Sequence, residues 1–377
     1  MDATSPTARL RAWLQEALGV MRDAVAEPAA ATPRAFAPAA TPPAPQLADA
    51  FSARALVGDG GLIAGWGPTR ARLDDAVDAF VGGQPVAIAI VGEGGSGREV
   101  LLDHVERKVR RADGGTRAAR VDAPRSGLRD ALRSALGDAS AQRRALLLAA
   151  AHRAYRRRIG GFDALRAGLD LLSDTVGQVL WVVEFDAVPW SYLDRVYQVA
   201  AHFTHVVEVP ALGVEDLHLA LQRRLVALAG AARFEFVVPP ELPLEEHANW
   251  ARSGYPQRLH LASRGNPEAA GALVLRQLRE GGGDGAYRVE APPLLPLSDL
   301  GVLPPQHVVA LELLLGHTAL TPAELAELLV LAPSEARALL DGLGQHGLVS
   351  GDRHRGYAVD PVWRAPLTDL LRSKNLL

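Results

Sequence analysis

Gly92-Glu93-Gly94-Gly95-Ser96-Gly97-Arg98-Glu99 is the stretch of this 377-residue sequence whose residue types and spacing carry the most chemistry. Gly92 and Gly97 stand at the ends of a G-x-x-x-x-G spacing. Glycine lets such a loop turn its backbone N–H groups toward one point, and the following helix adds the positive end of its dipole. That is half of a phosphate site. The other half is altered: Arg98 stands where a lysine would reach terminal phosphates, and Glu99 where a Ser or Thr would bind magnesium. Arginine keeps the charge in a bulkier head, and a carboxylate beside phosphates repels them unless a cation intervenes. The expectation is an ATP/Mg site at Gly92, Gly94, Gly95, Ser96, Gly97, Arg98 and Glu99 that is weak or absent. The same string also fits a glycine-rich strand-to-helix turn with no ligand.

The elements that must position this loop follow from hydrophobic pattern. Pro85 to Val91 is an unbroken apolar run of strand length, as for a strand buried on both faces, and it feeds straight into the loop. Further strands are expected at Arg117 to Val121, Val179 to Val183 and His205 to Val209. Helices are expected at Pro68 to Phe80, Leu128 to Leu136, Ala141 to Arg157, Phe162 to Leu172 and Tyr192 to Ala201. Alternating strands and helices make an α/β fold, a parallel sheet wrapped by helices. Helical segments at Val214 to Ala229, Leu244 to Arg252 and Pro267 to Arg279 read as a helical lid, and the glycine run 281–285 marks a boundary. Beyond it, Gln306 to Leu315, a capping box at Thr321 to Glu324, a helix from Ser334 to Leu343 and two short strands around a charged turn compose a winged helix. The expected division is 51–230 for the core, 231–285 for the lid and 286–377 for the winged helix.

On these residues the chain resembles the P-loop ATPases of the AAA+ and STAND superfamily, especially the bacterial branch with a lid and a winged helix. The resemblance covers roughly 51–377 and implies ATP and magnesium as ligands. It places Leu180-Trp181-Val182-Val183-Glu184-Phe185-Asp186 at the family's second motif, with Glu184 as the magnesium acid and Phe185 where the water-polarising acid belongs. A phenyl ring does no general-base work, and Asp186 would substitute only with a shifted strand end. In the lid, Ser263-Arg264-Gly265-Asn266-Pro267-Glu268 resembles the family's G-N-P-R element with Glu268 in the arginine's place. Between Asp186 and Pro210 one strand is found where the family has two, so its first sensor residue is missing. Together these departures imply a pseudo-ATPase working as a regulatory or scaffolding adaptor; the alternatives are a slow ATP-driven switch and a DNA-associated regulator. The resemblance also implies ring-like homo-oligomers, for which Arg195, Arg223 and Arg224 are candidate contacts.

Composition narrows the partners. A net charge of −3 gives no overall case for nucleic acid, and the third helix of the winged helix offers Glu335 and Asp341 against Arg337, so a protein contact is expected there. Arginines 143, 144, 153, 156, 157 and 158 form a basic cluster without interleaved aromatics, read as a solvated face, and His202 and His205 lack a carboxylate at ligand spacing. No cysteine is present, which excludes thiolate chemistry and fits a reducing compartment. No membrane span and no signal-type apolar core are found, so a cytoplasmic place is expected. Arginine far outnumbers lysine, which points to a high-GC bacterial genome. At the N-terminus, 1–27 reads as an amphipathic helix with the stripe Leu10, Trp13, Leu14, Leu18 and Met21, and 28–50 as an Ala/Pro tether. An isolated helix of this length is marginal in water, so the stripe is expected to be buried, either docked on a protein partner or a second copy or folded back on the chain's own core. Trp13→Ala with Leu14→Ala should abolish co-purification of a partner or self-association while leaving the melting temperature unchanged; a lower melting temperature with association intact would instead assign the helix to the chain's own packing.

Overall fold

Gly67-Pro68 opens the first helix, α1 (Gly67–Val81), with proline in the first turn where no N–H is needed. β1 (Ala87–Gly92) follows, buried at every position, and the glycine loop leads into α2 (Arg98–Arg111). The core continues through β2 (Arg117–Asp122), α3 (Leu128–Leu136), β3 (Arg144–Ala149), α4 (Asp163–Thr175), β4 (Val179–Asp186), α5 (Ala187–Tyr197) and β5 (His205–Glu208). The computed structural model describes residues 65–112, 116–137, 144–228, 233–280, 286–293, 300 and 303–377. Leu10, Trp13, Leu14, Leu18 and Met21, with the tether at 28–50, lie outside the described residues.

The five strands form one parallel sheet in the order β2-β3-β4-β1-β5. Strand periodicity sends alternate side chains to opposite faces. Ile88 and Ile90 join Leu73, Val77, Leu101 and Val105 in one apolar layer; Ala87, Ala89 and Val91 join Leu128, Leu132, Leu165 and Leu169 in the other. Each large aliphatic side chain fully buried in this way contributes roughly 1.5–3 kcal/mol before conformational entropy is subtracted. Helices cover both faces, and the two edge strands, β2 and β5, are partly exposed.

Two expectations are corrected here. Ala141 to Arg157 is not one helix: Arg144–Ala149 is β3, followed by a single 3₁₀ turn, Ala151–Ala154. Ala, Leu and Arg are good helix formers, but a five-residue apolar run inside a sheet buries both faces, and that packing outweighs propensity. With β3 counted the sheet has five strands, and between Asp186 and Pro210 it has one, β5, as read from the sequence. The lid is not wholly helical either. Besides α6 (Val214–Leu228), α7 (Tyr255–Ser263) and α8 (Pro267–Gln277), it contains β6 (Arg233–Phe236), β7 (Leu278–Glu280) and β8 (Ala286–Val289) in one small sheet, order β6-β8-β7. Phe234, Phe236 and Tyr287 supply the aromatic side chains that favour strands. β7 and β8 pair antiparallel from either side of the glycine run, so this sheet crosses the limit read at 285.

The C-terminal part contains α9 (Pro305–His317), α10 (Pro322–Leu329), α11 (Pro333–Gln345), the antiparallel ribbon β9 (Val349–Asp352) and β10 (Gly356–Val359), and α12 (Pro361–Ser373). All four helices begin with proline. Thr321 and Glu324 form the expected capping box. Leu311, Leu314, Leu325, Leu340, Leu343, Trp363 and Leu367 make a separate apolar core, which Val188 of α5 joins from the other domain.

Arginines bind this part to the rest of the molecule. Arg156 meets Glu324 at 2.7 Å, Arg125 pairs with the same carboxylate, Arg157 with Glu312 and Arg158 with Glu327. On the lid side Arg264 pairs with Asp369 and Arg276 with Asp360. Arg156, Arg157 and Arg158 of the basic cluster therefore face acids of this part, while Arg153, Arg157 and Arg158 stay exposed. Glu324 serves two purposes, its Oε2 accepting from the Thr321 N–H at 2.8 Å while Oε1 faces the arginines. Glu324→Gln should retain the cap, weaken the ion pairs and lower stability by about 1 kcal/mol, and Glu324→Ala by about 2 kcal/mol. Denaturant unfolding of the two variants checks this; equal losses would mean that the arginine contacts add nothing.

Candidate functional site

The register of the sheet assembles the site. Gly92 of β1 lies opposite Asp186 of β4, and Ile90 opposite Glu184, so the glycine loop begins beside the end of β4. Ligands in open parallel sheets bind beyond the carboxyl ends of the strands, where chain direction switches. Glu184 and Asp186 share the face of Leu180 and Val182, toward α2, whereas Phe185 points to the opposite layer. There its ring packs on Trp190 and Phe203, with centroids 4.9 and 5.9 Å away. Phe185 is thus a core residue rather than a replaced base. Asp186 reaches the loop with the strand intact through its own position, and no shift of the strand end is required.

Arg98 at the start of α2 lies between those two acids. Its Nε is 3.4 Å from Glu184 Oε1, and its Nη2 donates to Asp186 Oδ2 at 3.3 Å. All three side chains are buried. Burial pushes the Glu184 carboxyl above its ordinary range, against the lowering effect of Arg98. Glu93 is raised in the same way by burial and by the charge of Asp186. His152, on the turn after β3, accepts from the Asp186 N–H through Nδ1 at 3.1 Å, and complete burial depresses its imidazole to about 3, so it is neutral near pH 7.

The loop itself stays open to an anion. Ser96 N–H closes a turn on Glu93 O at 3.0 Å, while the N–H groups of Gly95, Gly97, Arg98 and Glu99 meet no acceptor among the described residues. Ser96 Oγ and Arg98 Nη1 are buried without a partner. Gly95 and Gly97 have φ of 77° and 98°, the left-handed conformation that glycine adopts without strain. Gly97 also lies under the Trp66 indole, where a β-carbon would overlap the ring. These donors fit a phosphate. A magnesium ion fits poorly: Glu184 and Asp186 are engaged by Arg98, and among the described residues no cluster of three His, Asp or Glu side chains is arranged to hold a metal.

The lid and the C-terminal helix close the cleft. Asn266 caps α8 by accepting from Glu268 N–H and Ala269 N–H, and its amide donates to Gly94 O at 2.8 Å. Glu268 pairs at 3.7 Å with Arg364 of α12, whose guanidinium lies against Gly94. The cleft, about 220 Å³, is lined by Glu99, Glu184, Asp186 and Glu268 against Arg98, Arg153 and Arg364. Acids outnumber bases, an unfavourable field for a polyphosphate arriving without cations.

Of the residues singled out in sequence, Gly94, Gly95, Gly97, Arg98, Glu99, Glu184 and Asp186 line one cleft, with Gly92 and Ser96 beside it. Arg195 is exposed on α5, whereas Arg224 is buried in α6. His202 and His205 hydrogen-bond Ser173 and Thr204, at 3.0 and 2.8 Å. Sequence reasoning missed Trp66, His152 and Arg364. The single tryptophan before Gly67-Pro68 was a signal for the first; His152 was hidden in the misread helix, and nothing local marks Arg364.

No family model matches the chain, and no curated protein sequence matches it. Solved structures do. The Aeropyrum pernix ORC2 protein, solved as ADPNP-ADP complexes, shares the fold with a TM-score of 0.50 and 15% identity over 86% of this chain and 97% of that one. The Thermotoga maritima RuvB Holliday junction branch migration motor gives 0.41 and 13% over 83% and 96%. The Aeropyrum pernix ORC1 protein in complex with DNA gives 0.40 and 13% over 87% and 97%. At these identities the likeness is one of fold, and that fold is the AAA+ P-loop ATPase type: a five-stranded parallel sheet flanked by helices, followed by a C-terminal helical region.

Removing Arg98 leaves two buried acids facing each other. Arg98→Ala should therefore cost about 3 kcal/mol in stability, read as a melting temperature several degrees lower; an unchanged value would show that the triad carries no structural load. His152 gives a pH signature. Its folded pKa is depressed, so its contribution is fully present above pH 6.5 and is lost as pH falls from 6.5 toward 3. Glu184, raised, has the opposite sign, contributing most below the ordinary carboxylate range and less as pH rises. The difference in unfolding free energy between wild type and His152→Asn should accordingly shrink by up to about 1.4 kcal/mol per pH unit through that window; parallel pH profiles would contradict it.

Proposed function

We propose that this chain is a regulatory or scaffolding protein of AAA+/STAND type, whose phosphate loop binds an anion without supporting efficient ATP hydrolysis. The observation that carries the reading is the buried triad. In a working site the cation after the last loop glycine reaches a terminal phosphate, whereas Arg98 here is bound by Glu184 and Asp186. Both carboxylates nearest the loop are engaged by the same contact. The correct assignment of β3 strengthens the case. The family's second motif lies on a strand followed by two others, which here is β3, and its carboxyl end reads Ala149-Ala150-Ala151 with no acid at all. Methyl groups neither ligate a metal nor polarise water.

The C-terminal helices and ribbon are read as a winged helix turned inward. Glu312, Glu324 and Glu327 face arginines of the core. The exposed side of α11 carries Glu335 and Asp341 against Arg337, a poor match for phosphates of a duplex. Protein contact, through this part or through the N-terminal stripe, is the favoured mode of action. A slow nucleotide switch is the second reading, favoured by the four open N–H groups of the loop.

Titration calorimetry with ATP and magnesium, alongside phosphate release, separates the two. The expected result is turnover at background. Turnover on the order of one per second, abolished by Gly97→Val, would establish the switch instead.

A further inference from the structure

The cleft between the glycine loop and α12 carries hydrogen-bond donors on both sides, alongside the carboxylates of Glu99 and Glu268. On the loop side are the N–H groups of Gly95, Gly97, Arg98 and Glu99, with no acceptor among the described residues, and the buried, unpartnered Ser96 Oγ and Arg98 Nη1. On the other side is the Arg364 guanidinium. Its side chain is 16% exposed, its ion-pair partner Glu268 is 3.7 Å away, and none of the hydrogen bonds among the described residues comes from its guanidinium. Arg98 is committed to two acids, so Arg364 is the cation lying against Gly94 with donors to spare. A planar fork of donors opposite a nest of backbone N–H groups is satisfied by an acceptor-rich anion.

We infer that Arg364, on the last helix, is the second half of an oxyanion site whose first half is the glycine loop, so that one bound phosphate group joins the C-terminal domain to the core. This rests on the reading of the loop as a phosphate site and adds the residue that closes it. Glu268 then acts as an internal competitor: it holds the guanidinium over the loop, and an arriving oxyanion takes its place. Gly94 is required because a side chain there would push Arg364 away; its φ lies outside the left-handed region, so the requirement is for space rather than backbone freedom. The ligand class is a tetrahedral oxyanion, either inorganic phosphate or the terminal phosphate of a nucleotide.

Calorimetry on the full chain with inorganic phosphate, and separately with magnesium-free ATP, tests this and distinguishes the two sources, since ATP binding much more tightly than phosphate indicates a nucleotide. Arg364→Ala should weaken binding at least tenfold and abolish the ligand-induced rise in melting temperature, with Arg364→Lys restoring part of both. Gly94→Ala should weaken binding similarly by displacing an intact Arg364, which covers the case of a poorly folded Arg364→Ala. Glu268→Gln should bind several-fold more tightly, an effect that loss of a merely structural ion pair does not produce. Binding by wild type that Arg364→Ala and Gly94→Ala both match would overturn the role of Arg364 and leave the loop reading standing. Wild type that takes up neither probe would overturn both.

Discussion

A guanidinium buried between two carboxylates, Arg98 with Glu184 and Asp186, is the contact on which the rest of this site depends. It exists because parallel pairing of β1 and β4 brings Gly92 level with Asp186, and because strand periodicity turns positions 184 and 186, but not 185, toward the start of α2. A guanidinium here has five N–H donors but one charge, and that charge is matched by two acids. Nε and Nη2 are engaged by Glu184 and Asp186, while Nη1 keeps no partner among the described residues. The three side chains make an ionic lock of the kind that is costly to break and adds little net stability when formed.

Charge also organises the molecule at larger scale. Arg125, Arg156, Arg157 and Arg158 meet Glu312, Glu324 and Glu327 across the boundary between core and C-terminal part, while Arg264 and Arg276 meet Asp369 and Asp360 from the lid. Many of these pairs are partly exposed and individually weak, but they fix orientation, and the burial of Val188 in the C-terminal apolar core adds a hydrophobic contact to the same boundary. Arg364 reaches the glycine loop because α12 is seated in this way.

The strands buried on both faces were legible as unbroken apolar runs, and the phosphate-loop spacing marked the end of β1 without ambiguity. β3 was not legible, because Ala145-Leu146-Leu147-Leu148-Ala149 suits a helix as well as a strand until the neighbouring strands are known. That one ambiguity left the expected sheet one strand short of the five it has. Arg364 was invisible for a different reason: its importance comes from a contact 270 residues away in the chain, with Gly94, and no local pattern encodes that distance. Phe185 was misread because spacing along a motif was given more weight than the alternation of a strand.

Trp66 has a mechanical consequence. Its backbone is left-handed, with φ of 55°, a conformation bulky residues rarely hold, and its indole is fixed by a hydrogen bond to Pro210 O at 3.1 Å and by contact with Gly97. It is the point at which chain N-terminal to α1 meets the loop. Trp66 O also accepts from the Arg70 N–H at 2.8 Å, so one residue ties the first turn of α1, the chain at Pro210 and the glycine loop together. A smaller side chain here would loosen all three at once.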